Sequence, residues 1–494
     1  MIKKSLKNKI VAVALSAAML LGACGSAGSS SAKNGSASSE SSSSTKQESS
    51  SSSSANESSS SAKESSSSSN GSSSAEKFNS EGLLYAAENS FTEYLSVADR
   101  YYQKLDEEKQ KKIQEFVAKT TAKYYAKERK ENNFLYSPVS LYLALSLAED
   151  LADEKATKDL LALLGSDSLA DMEQTAQTIT KGISSETDDD AKPAICKVSN
   201  SIWSDDSMAL DDKAKKVLDN ASAKFFADLF SADLQSEDTI AAMNSWVSAK
   251  TEGLIKEIPF KPGDNTKMLL FNALYFKKKW DDPIDKALTA KEDFTLASGE
   301  KIQVDMMKAE VAYYKESNMK YYRTENTLSA PYYYSDGSYC IFVRPEKVCG
   351  REDMKNIISD ELPDIIDAFI NWRTKETGSL KISIPKLSYE TKTEHMQDEL
   401  MELGVNSVFD SAADPFSPLG GGLAISEIAQ KCKIIMDEEG TEAAAVTEIS
   451  MDESAPCFEE QNIELNLDRP YAYVIMSGNN IPLFIGAVEN PAAE

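Results

Sequence analysis

The chain has 494 residues, with 53 Lys and Arg against 79 Asp and Glu, a formal charge of −26, one histidine and six cysteines. So negative a balance weighs against nucleic acid as a partner, and the single imidazole, His395, excludes zinc sites built on two histidines. The cysteines are too sparse for a disulfide scaffold and have no zinc-like spacing, so neither cofactor nor metal is expected.

The chain opens with Lys3, Lys4, Lys7 and Lys9, then an apolar run from Ile10 to Leu21, then Leu21-Gly22-Ala23-Cys24. The run is too short for the roughly 20 apolar residues a membrane span needs, so it reads as an export signal. Leu-Gly-Ala-Cys resembles the bacterial lipobox, which implies cleavage before Cys24, a lipid on its sulfur and a head held on the extracellular face of a bacterial membrane. A plain secretory signal cut after Ala23 is the alternative. Residues 24–77 are dominated by Ser and cannot bury enough surface to offset the entropy of ordering, so they read as a disordered tether between the signal, 1–23, and one large domain, 78–494.

In the domain, Leu84 to Leu95 and Ile113 to Glu128 carry apolar residues at helical spacing. Ser137-Pro138 opens a helix with cap and first-turn chemistry, and its apolar surface nearly all round marks it as a core helix. Thr239 to Lys250 reads as an amphipathic helix stopped by Gly253. Strands follow: the unbroken run Met268 to Phe276, the alternating Leu380 to Ile384 stopped by Pro385, then Lys433 to Met436, Tyr471 to Met476 and Leu483 to Val488. Helices first and strands later predict an α+β domain with large sheets. Trp203, Trp246 and Trp280 read as core anchors.

Asp437 to Pro456 follows a strand directly. It is rich in Ala, yet Gly440 and the β-branched Thr441, Val446, Thr447 and Ile449 disfavour a helix. At period two, one face carries Thr441, Ala443, Ala445, Thr447, Ile449 and Met451, and the other Glu442, Ala444, Val446, Glu448, Ser450 and Asp452. Every charge between Thr441 and Asp452 falls on the second face, so as a strand the segment could lie buried on one side. A solvated acidic loop is the rival reading.

Several motifs then resemble, in order, those of serpins. Asn133-Phe-Leu-Tyr-Ser-Pro-Val-Ser140 resembles the opening of the family's core helix, Asn244-Ser-Trp-Val-Ser-Ala-Lys-Thr-Glu-Gly-Leu-Ile-Lys256 its next helical segment and Asn272-Ala-Leu-Tyr-Phe-Lys-Lys-Lys-Trp280 a strand of its main sheet. Glu438-Glu-Gly-Thr-Glu-Ala-Ala-Ala445 resembles the hinge, while Asp468-Arg-Pro-Tyr471 and Leu483-Phe-Ile-Gly-Ala-Val-Glu-Asn-Pro491 resemble the closing signatures. The resemblance implies a serpin fold, helical at first, with large mixed sheets and an exposed reactive loop. It also implies a monomeric suicide inhibitor of extracellular serine or cysteine proteases, not an enzyme. The protease cleaves the loop, becomes acyl-linked to the new end, and is trapped when the loop inserts into the main sheet.

On that resemblance the hinge is Glu438, Glu439, Gly440, Thr441, Glu442, Ala443, Ala444, Ala445, Val446 and Thr447. Family loop length puts the scissile bond at Ser454-Ala455, with Met451 as the alternative bait. The small Ser454 suggests an elastase- or subtilisin-like target, and Asp452, Glu453, Glu459 and Glu460 would attract a basic one. The sheet-opening region comprises Ser137, Ser140, Asn272, Trp280, Lys386 and Gln430. Gln430 stands where the family usually has His; Gln can donate and accept, so it could still join a network with Ser140 and Asn272, without the pH response. Lys278 stands where Gly is common, and Lys386 and Glu438 match a frequent ion pair, worth little if exposed.

Two rivals remain. An enzyme could pair Cys432 or Cys457 with His395, although His395 lies in an acidic stretch and reads as a surface residue. A non-inhibitory serpin, acting as a cell-surface interaction protein, would tend to carry charge or bulk on the inserting face, which this hinge lacks.

Overall fold

The computed structural model describes residues 85–127, 133–186, 194–263, 265–311, 319–371, 376–441 and 462–493. Cys24, the signal and the tether lie outside the described residues, as does the whole of the compact unit Met1–Gly71; every described residue belongs to the unit Ser72–Glu494.

In chain order the first elements are β1 (Tyr85–Ala87), α1 (Val97–Tyr102), α2 (Glu107–Lys127), β2 (Phe134–Tyr136), α3 (Pro138–Asp150), α4 (Glu154–Leu164) and α5 (Leu169–Ile183). Then come β3 (Ala194–Asp205), α6 (Asp212–Lys224), β4 (Ala227–Ala232), α7 (Glu237–Lys250), β5 (Met268–Lys279), β6 (Ala290–Thr295) and β7 (Lys301–Val311). They are followed by β8 (Met319–Arg323), β9 (Thr327–Tyr333), β10 (Tyr339–Pro345), α8 (Arg351–Asn356), α9 (Leu362–Ile370), β11 (Glu376–Pro385) and β12 (Leu387–Thr393). The chain ends with α10 (Gln397–Glu402), β13 (Gln430–Met436), β14 (Gly440–Thr441), β15 (Asn462–Asn466), β16 (Tyr471–Met476) and β17 (Pro482–Val488).

The main sheet has the order β1-β4-β3-β5-β14-β13-β12. A second path runs β2-β17-β16-β10-β9-β8-β11-β7-β6, with β15 beside β11. Pairing is antiparallel except between β3 and β4 and between β11 and β15, so both sheets are mixed, as the sequence predicts.

Helix α3 holds the centre. Ser137 caps it by accepting from the Ser140 amide, Pro138 occupies the first turn, and the helix packs on β5 and β17 with nearly all its side chains buried. On the opposite face of β5 a smaller core gathers Trp203, Phe230, Trp246 and Phe271 beneath α7. Trp203 stacks on Phe230 at 4.1 Å, the Trp246 indole N–H donates to Asp228 at 2.9 Å, and Trp280 is also buried, so all three tryptophans anchor cores.

The expected helix Leu84 to Leu95 is not formed. Instead β1 pairs with β4 at the edge of the main sheet, and the amides of Asn89 and Ser90 donate to the Asp228 carboxylate at 2.9 and 3.0 Å. Those tertiary bonds outweigh a weak local helical periodicity. The helices-then-strands order is also too simple, because β3 and β4 sit among the early helices and α8 and α9 among the late strands.

One residue of α3 conflicts with its surroundings. Glu149 is fully buried, and neither carboxylate oxygen finds a hydrogen-bond partner among the described residues. Burial, assisted by the Asp150 charge, pushes its carboxyl up to about 8. The folded chain therefore keeps a proton that the unfolded chain releases, so stability falls as pH rises from the ordinary carboxylate range to about 8 and then levels. Replacing Glu149→Gln removes that penalty. Denaturant melts should show the variant more stable by up to about 4 kcal/mol at pH 9 and near parity at pH 5; identical pH profiles would contradict this account.

Candidate functional site

The site is built where β13 turns into β14. The Asp437 carboxylate accepts from the amides of Glu439 and Gly440 at 2.9 and 3.3 Å, and its own amide donates to the Gly440 carbonyl at 2.9 Å, closing a tight reversal. Burial raises the Asp437 carboxyl above its ordinary value despite those bonds. The strand that emerges is wedged between β13 and β5, with Thr441 opposite both Met436 and Lys278. Gly440 is required there, since a Cβ would lie 2.7 Å from the Lys279 Cα and collide with the Lys278 carbonyl.

The turn is held from the β5 side. Trp280 donates its amide to the Glu439 carbonyl at 2.8 Å and its indole N–H to the Asp437 carbonyl at 3.0 Å, and Ile284 donates to the Glu438 carbonyl at 2.9 Å. The Trp280 ring stacks on Tyr334 at 4.4 Å, and the Tyr334 hydroxyl lies 2.7 Å from the Thr441 hydroxyl.

Both hinge carboxylates among the described residues, Glu438 and Glu439, are compensated. Glu438 is 3 % exposed, pairs with Lys386 at 2.8 Å and accepts from Thr289 at 2.7 Å. Burial pushes its carboxyl up, yet the bonds from Lys386 and Thr289 outweigh burial and leave it below the ordinary value. The expected Lys386–Glu438 pair is thus present, and with its acid buried it is not the weak surface contact that two exposed partners would make. Glu439 pairs with Lys286 at 2.7 Å and with Lys279 at 3.4 Å.

Below β14 the sheet is open. Among the described residues β5 and β13 share no ladder pairing; only the two residues of β14 lie between them. A cavity of about 480 Å³ occupies the gap, lined by Ala144 and Ser140 of α3, Leu270 and Asn272 of β5, and Gln430 and Cys432 of β13. The site therefore brings Ser137, Ser140, Asn272, Trp280, Lys386, Gln430 and Glu438 to Thr441 into one vertical band of the sheet.

The expected network is wired differently. Gln430 does not bond Ser140 or Asn272; its carbonyl accepts from the Ser137 amide at 2.8 Å and its amide donates to the Ser137 carbonyl at 2.9 Å. A planar amide presents donor and acceptor side by side, and the backbone at the start of α3 offers the matching pair. Asn272 turns away and donates to Asn200 at 2.7 Å, leaving its own carbonyl buried without a hydrogen-bond partner among the described residues.

Lys278 is buried rather than tolerated at the surface. Its ammonium lies 2.6 Å from Asp336 and donates to Ser338 at 3.2 Å, and Arg100 reaches the same Asp336 oxygen at 3.2 Å. Burial pushes the Asp336 carboxyl up, but the Lys278 charge and bonds from Lys278 and Ser338, followed by the Arg100 charge, hold it at about 2. Arg100, Tyr334, Asp336, Thr289 and Lys286 were not singled out from sequence. The only local signal was Ser335-Asp336-Gly337-Ser338, a turn sequence after an aromatic run, which marks a hairpin but not its partners.

The other candidates separate. His395 is exposed and lies 3.0 Å from Glu427, while Cys432 donates to Gln430 at 3.4 Å and burial pushes its thiol up to about 12. Neither partners the other. Glu442, Ala443, Ala444, Ala445, Val446, Thr447, Met451, Ser454, Ala455 and Cys457 lie outside the described residues.

Comparison with known proteins gives one family. The model described as "Serpin (serine protease inhibitor)" matches residues 111–491. A "Serine protease inhibitor" of the jellyfish Cyanea capillata is 28% identical over 379 residues, 74% of this chain and 93% of its own. Serpin-ZXA of rice, Oryza sativa subsp. japonica, is 30% identical over 374 residues, 73% of this chain and 90% of its own. The crystal structure of the thermophilic serpin Tengpin in its native state is similar with a TM-score of 0.66 and 26% identity, covering 78% of this chain and 95% of that one. The matched segment takes in the core helix, every strand of both sheets except β1, and the hinge turn, and on that extent the chain belongs to the serpin family.

Proposed function

We propose that the chain is a suicide inhibitor of serine proteases that traps the acyl-enzyme by drawing its cleaved loop into the gap between β5 and β13. The observation that carries this reading is the gap itself: a main sheet unpaired at its middle, with the chain already started into it at Gly440 and Thr441.

The register of that start can be carried along both flanking strands. If the strand continues past Thr441, antiparallel pairing sets Glu442 opposite Lys277, Ala443 opposite Phe276, Ala445 opposite Leu274 and Thr447 opposite Asn272, with Gln430 on the other side. Thr441, Ala443, Ala445 and Thr447 then face the large core, where Leu274 and Phe276 lie, and only small groups fit between them and α3. Glu442 faces the opposite way, beside the half-buried Lys277. The Thr447 hydroxyl would meet the Asn272 carbonyl, which has no hydrogen-bond partner among the described residues. Insertion thus supplies ladder hydrogen bonds to two strand edges and burial to one face of the loop, a gain released only once cleavage frees the end.

For the target, cleavage at Ser454-Ala455 favours an elastase- or subtilisin-like enzyme with a small specificity pocket, and the acidic loop favours a basic one. Cys24 and the Ser-rich tether support a head displayed by lipid on the extracellular face of a bacterial membrane, acting as a monomer.

Incubating the purified chain with an elastase- or subtilisin-like protease should give a denaturant-stable covalent band of the combined mass. Thr441 is buried against Tyr334, so Thr441→Arg forces a guanidinium into that site at a cost of several kcal/mol. The variant should be cleaved at the same bond but form at least about tenfold less complex, since each 1.4 kcal/mol is a factor of ten in partitioning. Undiminished complex from Thr441→Arg would overturn insertion, and clean cleavage of the unaltered chain would favour a non-inhibitory surface protein.

A further inference from the structure

Residues 85–110 precede the segment matched by the family model, which begins at 111, and they are nevertheless fastened along the body. β1 extends the main sheet, Asn89 and Ser90 hold Asp228, Phe91 packs edge-to-face on Phe226 at 5.0 Å, and the Gln103 carbonyl accepts from Asn479 at 2.8 Å. Within this strap Arg100 of α1 is buried, and its charge is spent on Asp336.

Asp336 sits at the tip of the turn Tyr334–Ser338, which joins β9 to β10 and is closed by a 2.8 Å bond from the Tyr334 amide to the Ser338 carbonyl. The same turn grips the hinge at two points. Tyr334 holds the Thr441 hydroxyl, and Asp336 holds Lys278, the residue opposite Thr441 in the ladder. Directly opposed residues on antiparallel strands project to the same face, so one short turn clamps both members of the pair. The turn is also tied to β5 by the Ser335 amide, which donates to the Lys279 carbonyl at 3.0 Å, and by Trp280 stacked on Tyr334; on the strap side it is held by Arg100. Two cations share one carboxylate, and all three side chains are less than a tenth exposed, where ion pairing is least screened. Arg100 lies outside the segment that the family model matches, whereas Lys278 and Asp336 lie within it.

We propose that Arg100 is a positioning residue for the hinge: it pins the Tyr334–Ser338 turn to the upstream strap, steadying Thr441 and Lys278 across β14 and β5 and coupling the strap's docking to opening of the main sheet. This goes beyond the inhibitor reading and is testable without a protease. Whatever peels the strap from β4, whether proteolysis upstream or tension on the N-terminal segment, removes one of the two cations that steady Asp336 and loosens the clamp on Thr441. Because stability is local, the loosening is confined to the hinge and the turn.

The test is amide hydrogen exchange on the intact, uncleaved chain, comparing the unaltered protein with Arg100→Gln and Arg100→Lys. For Arg100→Gln, exchange in the peptides covering 334–338 and 437–441 should accelerate about tenfold or more while β16 stays unchanged, and Arg100→Lys should recover most of the protection. Tyr334→Phe releases the same clamp from its other end; it should speed exchange at Thr441 while leaving β1 protected, and adding Arg100→Gln should then have less than its full effect on Thr441. Hinge exchange unaltered in Arg100→Gln, equal acceleration in β16, or full additivity with Tyr334→Phe would each overturn the proposal. A change in complex formation with no change in hinge exchange would leave the inhibitor reading standing and dismiss this one.

Discussion

A sheet whose two middle strands do not pair with each other is the constraint on which this molecule turns. Buried backbone amides and carbonyls require partners, and a strand edge inside a sheet is normally the best satisfied place in a protein. Here β5 and β13 diverge around a cavity of about 480 Å³, bridged at the top by two residues. The fold supplies a floor for that cavity in α3, whose small Ala144 and Ser140 line it, and walls whose apolar residues face inward. Such an opening leaves the facing edges of β5 and β13 unpaired below β14 among the described residues.

The hinge turn above the opening is densely tied. Two carboxylates at adjacent positions would repel each other in a turn this tight, yet each meets cations: Lys386 for Glu438, Lys286 and Lys279 for Glu439. Trp280 binds the turn through its backbone and its ring nitrogen, and its stacking on Tyr334 connects turn, strand and hairpin into one packed unit. The result is a two-residue strand, Gly440–Thr441, that is well fastened between β13 and β5.

Much of this was legible in residue patterns, for identifiable reasons. Ser137-Pro138 announced α3 because capping and first-turn chemistry are local. Met268 to Phe276 and Tyr471 to Met476 announced strands because burial on both faces leaves a continuous apolar run. The segregation of charge after Gly440 is a period-two pattern, but beyond Thr441 it lies outside the described residues. What could not be seen were the choices made between distant segments. Leu84 to Leu95 has helical spacing, and only the Asp228 carboxylate and the β4 edge make part of it a strand. Gln430 and Asn272 carry generic amides, and which of several partners each selects depends on backbone geometry that no local pattern encodes. The Arg100, Asp336 and Lys278 cluster joins three remote parts of the chain through charges that sequence alone would assign to solvent.

The central claim is that the gap is filled by the chain's own loop once that loop is cut. The decisive measurement is the melting temperature before and after a single cleavage between residues 451 and 456, with the fragments left associated. Filling the sheet adds a ladder of hydrogen bonds worth about 1 kcal/mol each and should raise the melting temperature by roughly 20 °C or more. A nicked protein that melts at the same temperature or lower, with its new end free in solvent, would contradict the account.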